Sequence, residues 1–161
     1  MAFSDATFSL PGALPGLTDR EAITDMVYRV STAFDVADEE LLRSAMTEDI
    51  TFAIESFTVN GVDDIIAKSF GHVSMMTTTH LIGNVRVLHK EGESTAKVTA
   101  TALAQHYREG EGLSGSDTRY LVGGLYAIDA VKDEKDGLWK ARNWFLKPIW
   151  KEGDRSVMGR S

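Results

Sequence analysis

At 161 residues and 43% hydrophobic, the chain can bury one substantial core but not two, so a single domain is expected. A formal net charge of −7 speaks against nucleic acid as a partner, because phosphate binding needs clustered Lys and Arg. The absence of cysteine removes disulfides, thiolate metal sites and a cysteine nucleophile at once.

In chain order, residues 1 to 17, with Pro11-Gly12 and Pro15-Gly16, read as an irregular arm. They carry Asp5 and no basic leader before an apolar run, and no later window approaches the length of a membrane span. A soluble, cytoplasmic protein is expected. Thr18 opens a helix through a Thr-x-x-Glu capping box with Glu21. Its apolar series Ile23, Met26, Val27, Val30 and Phe34 faces a core. Beside it runs a mixed stripe of Thr24, Tyr28, Ser31 and Asp35, a pattern that predicts a cavity wall ending in a carboxylate. Asp38 caps a short second helix through Leu41, Leu42, Ala45 and Met46.

Residues Ile50 to Val59 read as a strand, stopped by Asn60-Gly61 before a third helix with Ile65, Ile66 and Phe70. Four long strands follow at Thr79 to His89, Thr95 to Arg108, Thr118 to Val131 and Leu138 to Trp150. Their short polar connections predict antiparallel neighbours, since a parallel crossover needs a dozen residues or more. Helices first and a meander second make the fold class α+β, with the domain at 18–150 and a tail at 151–161 that either covers a pocket mouth or stays loose.

On the second long strand, Ala96, Val98, Ala100, Ala102, Ala104 and His106 share one face. On the next, Tyr120, Val122, Gly124, Tyr126 and Ile128 do so. Such small side chains leave a void unless a bulky neighbour fills it, which predicts a pocket between sheet and helices with His106 looking in. A buried imidazole needs a partner that alanines do not offer, so His106 points to function. Asp35 taken singly reads equally well as a solvated or capping helix-end carboxylate, whereas His80 taken singly reads as a half-exposed strand-end histidine. His72 and His89 read as surface or packing residues. A metal centre of Asp35, His80 and His106 ranks low for want of a ligand motif such as His-Glu-x-x-His. No phosphate-binding loop or nucleophile elbow occurs, and the reading calls for no cofactor and no metal. Trp139, Trp144 and Trp150 read as core or interface residues.

Taken together, a helix ending in Phe34-Asp35, the run Thr79-His80-Leu81-Ile82-Gly83, His106, and Gly137-Leu138-Trp139-Lys140 leading to Leu146-Lys147-Pro148 resemble the SnoaL-like branch of the nuclear transport factor 2-like superfamily. The similarity spans roughly Leu17 to Trp150. It implies a cone-shaped α+β fold, a bent antiparallel sheet wrapped around three helices and a deep apolar pocket. The branch includes polyketide cyclases, scytalone dehydratase and a dehydrochlorinase, with ketosteroid isomerase more distant. By this resemblance Asp35, His80 and His106 match the dehydratase's aspartate and histidines, and Asp35 with His80 matches the dehydrochlorinase pair. Phe34 and Ile54 stand where the dehydratase has tyrosines, and Val122 and Gly124 where it has serine and asparagine, which removes groups that polarise its substrate.

The expected activity is cofactor-independent acid/base chemistry, as dehydratase, cyclase or isomerase, on a hydrophobic polyketide-like or polycyclic molecule. Asp35 would orient His80, His80 would abstract a proton, and Tyr28, Tyr126 or Asn143 would meet the developing oxyanion. His106 would protonate a leaving hydroxyl. Two alternatives are a lone Asp35 base raised by desolvation and a non-catalytic binding or assembly module. A homo-oligomer, dimer or trimer, is expected because the outer sheet face needs cover, with Thr99, Thr101, Leu103, Tyr107, Trp144 and Leu146 supplying it.

Overall fold

A computed structural model describes residues 5–55 and 57–159. After a 3-10 turn at Asp5–Phe8, helix α1 (Asp19–Val36) begins with both halves of the capping box made: the Thr18 side chain accepts from the Glu21 amide, and the Glu21 carboxylate accepts from the Thr18 amide at 2.8 Å. Ala37 closes α1 in the left-handed region at φ 56°. Helix α2 (Glu39–Ala45) is capped by Asp38, which accepts from the Leu41 amide at 2.9 Å. Ser9 donates to the other oxygen of the same carboxylate, tying down the arm.

Strand β1 (Met46–Ile54) starts directly at the end of α2, so Met46 is strand rather than helix. The segment expected as one strand is a hairpin. Glu55 turns at φ 51° and β2 (Phe57–Asn60) returns along β1. Gly61 at φ 87° opens helix α3 (Val62–Ile65), which widens into a π-helical turn (Ile66–Phe70) and ends in one α turn (Gly71–Val73). Strands β3 (Thr77–Leu88), β4 (Thr95–Tyr107), β5 (Tyr120–Lys132) and β6 (Trp139–Gly153) form the antiparallel meander that short connections require.

The sheet order is β2-β1-β6-β5-β4-β3. Pairing of β1 with β6 is parallel. Short-connection logic could not find this pair, because the two strands are joined only through everything between them. Register shifts interrupt β3–β4, β5–β6 and β1–β6, and such bulges bend strands and increase their twist. The bent sheet closes around α1 and α3. The core between them holds Ile23, Met26, Val27, Leu42, Ile50, Ile65, Val98 and Trp139, each at most 1% exposed. Arg29, 5% exposed, crosses this core and ties three elements together: it donates to Ser44 O at 2.5 Å and Trp139 O at 2.7 Å while pairing with Asp25.

Side-chain parity on β6 differs from expectation. Trp144 is 2% exposed and Leu146 also faces inward, so neither covers the outer face; Phe145, 45% exposed, does. Alternation then sends Asn143 outward, where its amide donates to Asp129 at 3.1 Å. Trp139 is core, and Trp150 stacks over Gly123, where an added Cβ would lie 2.2 Å from the indole. Among the described residues no helix is long and apolar enough to cross a membrane.

Candidate active site

The sheet and helices enclose a cavity of about 350 Å3, lined mainly by apolar side chains from α1, β1, the turns that follow α3 and the inner face of β4–β6. The alanine row divides along β4. Ala96 and Val98 pack into the core, whereas Ala102, Ala104 and His106 line the hollow. Gly124, opposite Ala102, is partly filled by Leu146, whose Cδ1 would lie 2.7 Å from an added Cβ. Phe34, Ile54, Val122 and Tyr126 also line the cavity.

Asp35 lies at the last turn of α1, which packs on β3. Thr78 and His80, two apart and therefore on one face of β3, both reach it. One carboxylate oxygen accepts from Thr78 Oγ1 and His80 Nδ1, each at 2.7 Å, and the other accepts from the His80 amide at 2.8 Å. Nδ1 carries a proton in this arrangement, leaving Nε2 as the basic nitrogen on the cavity side. The His80 ring, 13% exposed, is braced by Phe34 at 5.8 Å and by His106 edge-on at 5.6 Å between centroids. Burial pushes the Asp35 carboxyl up, but the His80 and Thr78 hydrogen bonds and the imidazole charge outweigh it, and the net direction is down. That opposes the lone-carboxylate base, which needs an elevated value and a free oxygen.

His106 is 5% exposed, and its Nδ1 donates to the Tyr120 carbonyl at 3.1 Å. Desolvation, reinforced by the neighbouring His80, lowers its pKa to about 4. Near neutral pH it is a neutral ring offering the Nε2 lone pair, an acceptor and not an acid. Burial pushes the Tyr126 phenol up to about 12, with Asp35 adding to the effect, so the hydroxyl remains a donor. Its ring rests edge-on against Trp144 at 5.0 Å.

Two expected oxyanion donors lie elsewhere. Tyr28 is 44% exposed and sits two turns below Asp35, about 10 Å along the helix axis, so of the mixed stripe only Ser31 lines the cavity. Asn143 is on the opposite sheet face. Conversely, His72 borders the cavity and donates from Nε2 to Met158 O at 2.7 Å, a contact that a helix-plus-tail reading could not reveal. Glu55, Lys151, Arg155 and Met158 complete the mouth. The tail signal was the run Gly153-Asp154-Arg155-Ser156, a glycine followed by a cap. His89 packs on Trp139, in keeping with a packing role. Among the described residues no three His, Asp or Glu side chains converge as a metal site. A shallower hollow lies on the outer face, between Thr99, Leu125 and Phe145.

The chain is 45% identical over 153 residues to a Penicillium crustosum protein named terrestric acid biosynthesis cluster protein E, covering 94% of this chain and 97% of that one. Its fold is similar to a Novosphingobium aromaticivorans crystal structure carrying the provisional description scytalone dehydratase (TM-score 0.71, 23% identity, 85% of this chain and 88% of that one). A similar likeness links it to hexachlorocyclohexane dehydrochlorinase LinA-type3 of Novosphingobium barchaimii (TM-score 0.66, 17% identity, 86% and 91%). Residues 15–144 match the model of the SnoaL-like domain. With an α+β cone of three helices and a six-stranded, mostly antiparallel sheet, the chain belongs to the SnoaL-like family of the nuclear transport factor 2-like fold.

Proposed function

We propose that this protein is a cofactor-independent acid/base enzyme of secondary-metabolite biosynthesis, acting on a hydrophobic polyketide-like molecule held in the cavity. The observation that carries this reading is the 2.7 Å Asp35–His80 pair set in the wall of an apolar hollow. The cluster membership stated for the P. crustosum relative supports the pathway class.

Asp35 is held from behind by three donors, so its role is to fix the His80 tautomer and stabilise the imidazolium. His80 Nε2 removes a proton from carbon beside a substrate carbonyl, and the C–H electron pair becomes an enolate. Tyr126 O–H is the inner-face donor for that oxyanion, and the apolar wall strengthens the contact by excluding water. His106 accepts a hydrogen bond from a substrate hydroxyl and positions it. The leaving oxygen then takes its proton back from the His80 imidazolium, so that one base serves both halves of a dehydration. If no group leaves, reprotonation at another carbon gives an isomer. Self-association as a dimer or trimer through the outer face, where Leu125 and Phe145 are half exposed, belongs to the same reading.

The test is incubation of the purified chain with polyketide-type β-hydroxy and β-dicarbonyl compounds in D2O, followed by mass spectrometry. Wild type is expected to catalyse loss of water or deuterium uptake, and His80→Gln to do neither. No water loss or exchange above the protein-free blank by either protein would leave a binding module as the remaining function.

A further inference from the structure

We infer that the cavity mouth is an anion site and that the guest is an amphiphilic acid, its apolar body in the hollow and its carboxylate or acidic enolate on the Arg155 guanidinium. This rests on the reading of the cavity as a substrate pocket, and deepens it.

The chain as a whole is acidic, with 24 Asp and Glu against 17 Lys and Arg, yet the mouth carries an excess of positive charge. Its charged wall residues are Glu55, Lys151 and Arg155. Glu55 is spent on Lys151, whose ammonium contacts both carboxylate oxygens at 3.0 and 3.1 Å. Arg155 makes no ion pair or side-chain hydrogen bond among the described residues. Deeper in, the negative charge of Asp35 is covered by His80 and Thr78, so an entering anion meets no bare carboxylate.

An unpaired arginine on a loose tail would mean little, but this one is held in place. Gly153, at φ 92°, swings the chain off β6 at a point where a Cβ would lie 2.1 Å from Arg119 O. The Asp154 amide bonds Arg119 O at 2.8 Å, and its carboxylate is occupied by the Ser156 amide, also at 2.8 Å. Ser156 Oγ accepts from Arg108, Val157 is buried at 4% exposure, and Met158 O accepts from His72. The 3-10 turn Arg155–Met158 is thus pinned along its length beside the cavity. A guanidinium presents a planar fork that matches the two oxygens of a carboxylate or of an ionised β-dicarbonyl, which a neutral ketone cannot reproduce.

The experiment is calorimetric titration of the full chain with naphthylacetate and with its methyl ester, matched in apolar body and differing in charge. The acid is expected to bind wild type about tenfold more tightly than the ester, the scale of a charge-assisted contact at a partly wet rim. Arg155→Gln removes that preference by weakening the acid alone, Arg155→Lys keeps part of it, and added salt weakens the acid but not the ester. Equal binding of acid and ester, unchanged in Arg155→Gln, overturns the anion site while leaving the cavity a guest pocket. Failure of both probes to bind removes the pocket reading and the anion site with it.

Discussion

Replacing His106 by Gln tests the burial of a neutral imidazole through the pH dependence of stability. Its pKa falls from the ordinary 6.5 to about 4, chiefly by desolvation and secondly through His80, while its Nδ1–H stays on the Tyr120 carbonyl. A histidine depressed on folding takes up its proton more readily when unfolded. The unfolded state therefore gains protons first as pH falls, and stability declines from about pH 6.5 down towards about pH 4. At ~1.4 kcal/mol per pH unit of difference, the whole effect is on the order of 3 kcal/mol. Roughly 1 kcal/mol of it is lost between about pH 7.5 and 5.5, before most carboxylates titrate. Urea denaturation of wild type and His106→Gln across that window reads the difference in slope directly. The variant, whose amide does not titrate, is expected to show the flatter profile. Parallel profiles would mean that the His106 ring is solvated, and would remove its assignment as a permanently neutral acceptor.

Asp35→Asn and His80→Gln are each expected to lower turnover on any accepted substrate by about 10²–10⁴-fold with little change in guest affinity, read by steady-state kinetics beside calorimetry. Because the folded Asp35 carboxyl lies below its ordinary 3.8, its contribution to stability is present above that value and lost as pH falls through the folded one. Acid titration of Asp35→Asn monitored by circular dichroism should lack that component. Gly153→Ala forces a Cβ towards the Arg119 carbonyl at positive φ and is expected to cost about 1–3 kcal/mol, with raised hydrogen exchange over residues 155–158. Arg29→Met strands the Ser44 and Trp139 carbonyls and the Asp25 carboxylate, for an expected loss of about 3–5 kcal/mol in chemical denaturation.

What the sequence by itself determined is local and periodic. The Thr18–Glu21 box and the Asp38 cap are satisfied within four residues, so each helix start could be read directly. Alternation on β4 put Ala102, Ala104 and His106 on one inner face, because a pleated strand has a period of two and the sheet has one covered side. Where a bulge shifts register, as between Asp129 and Ala130, that parity cannot be carried across strands, and for this reason Asn143, Trp144 and Leu146 lie on the faces opposite to those that plain alternation predicts. Tyr28 shares a helical stripe with Asp35, but a stripe does not state how far along the axis the cavity reaches.

Only the tertiary structure decided the rest. The parallel β1–β6 pair, the π turn that sets His72 at the mouth and the pinned Arg155 turn all join residues far apart in the chain, through contacts that exist only after the sheet has bent. The same holds for protonation. That His80 Nδ1 lies on the Asp35 carboxylate and His106 Nδ1 on the Tyr120 carbonyl depends on which acceptors the fold brings within 3 Å or so, and no spacing in a linear chain encodes that distance.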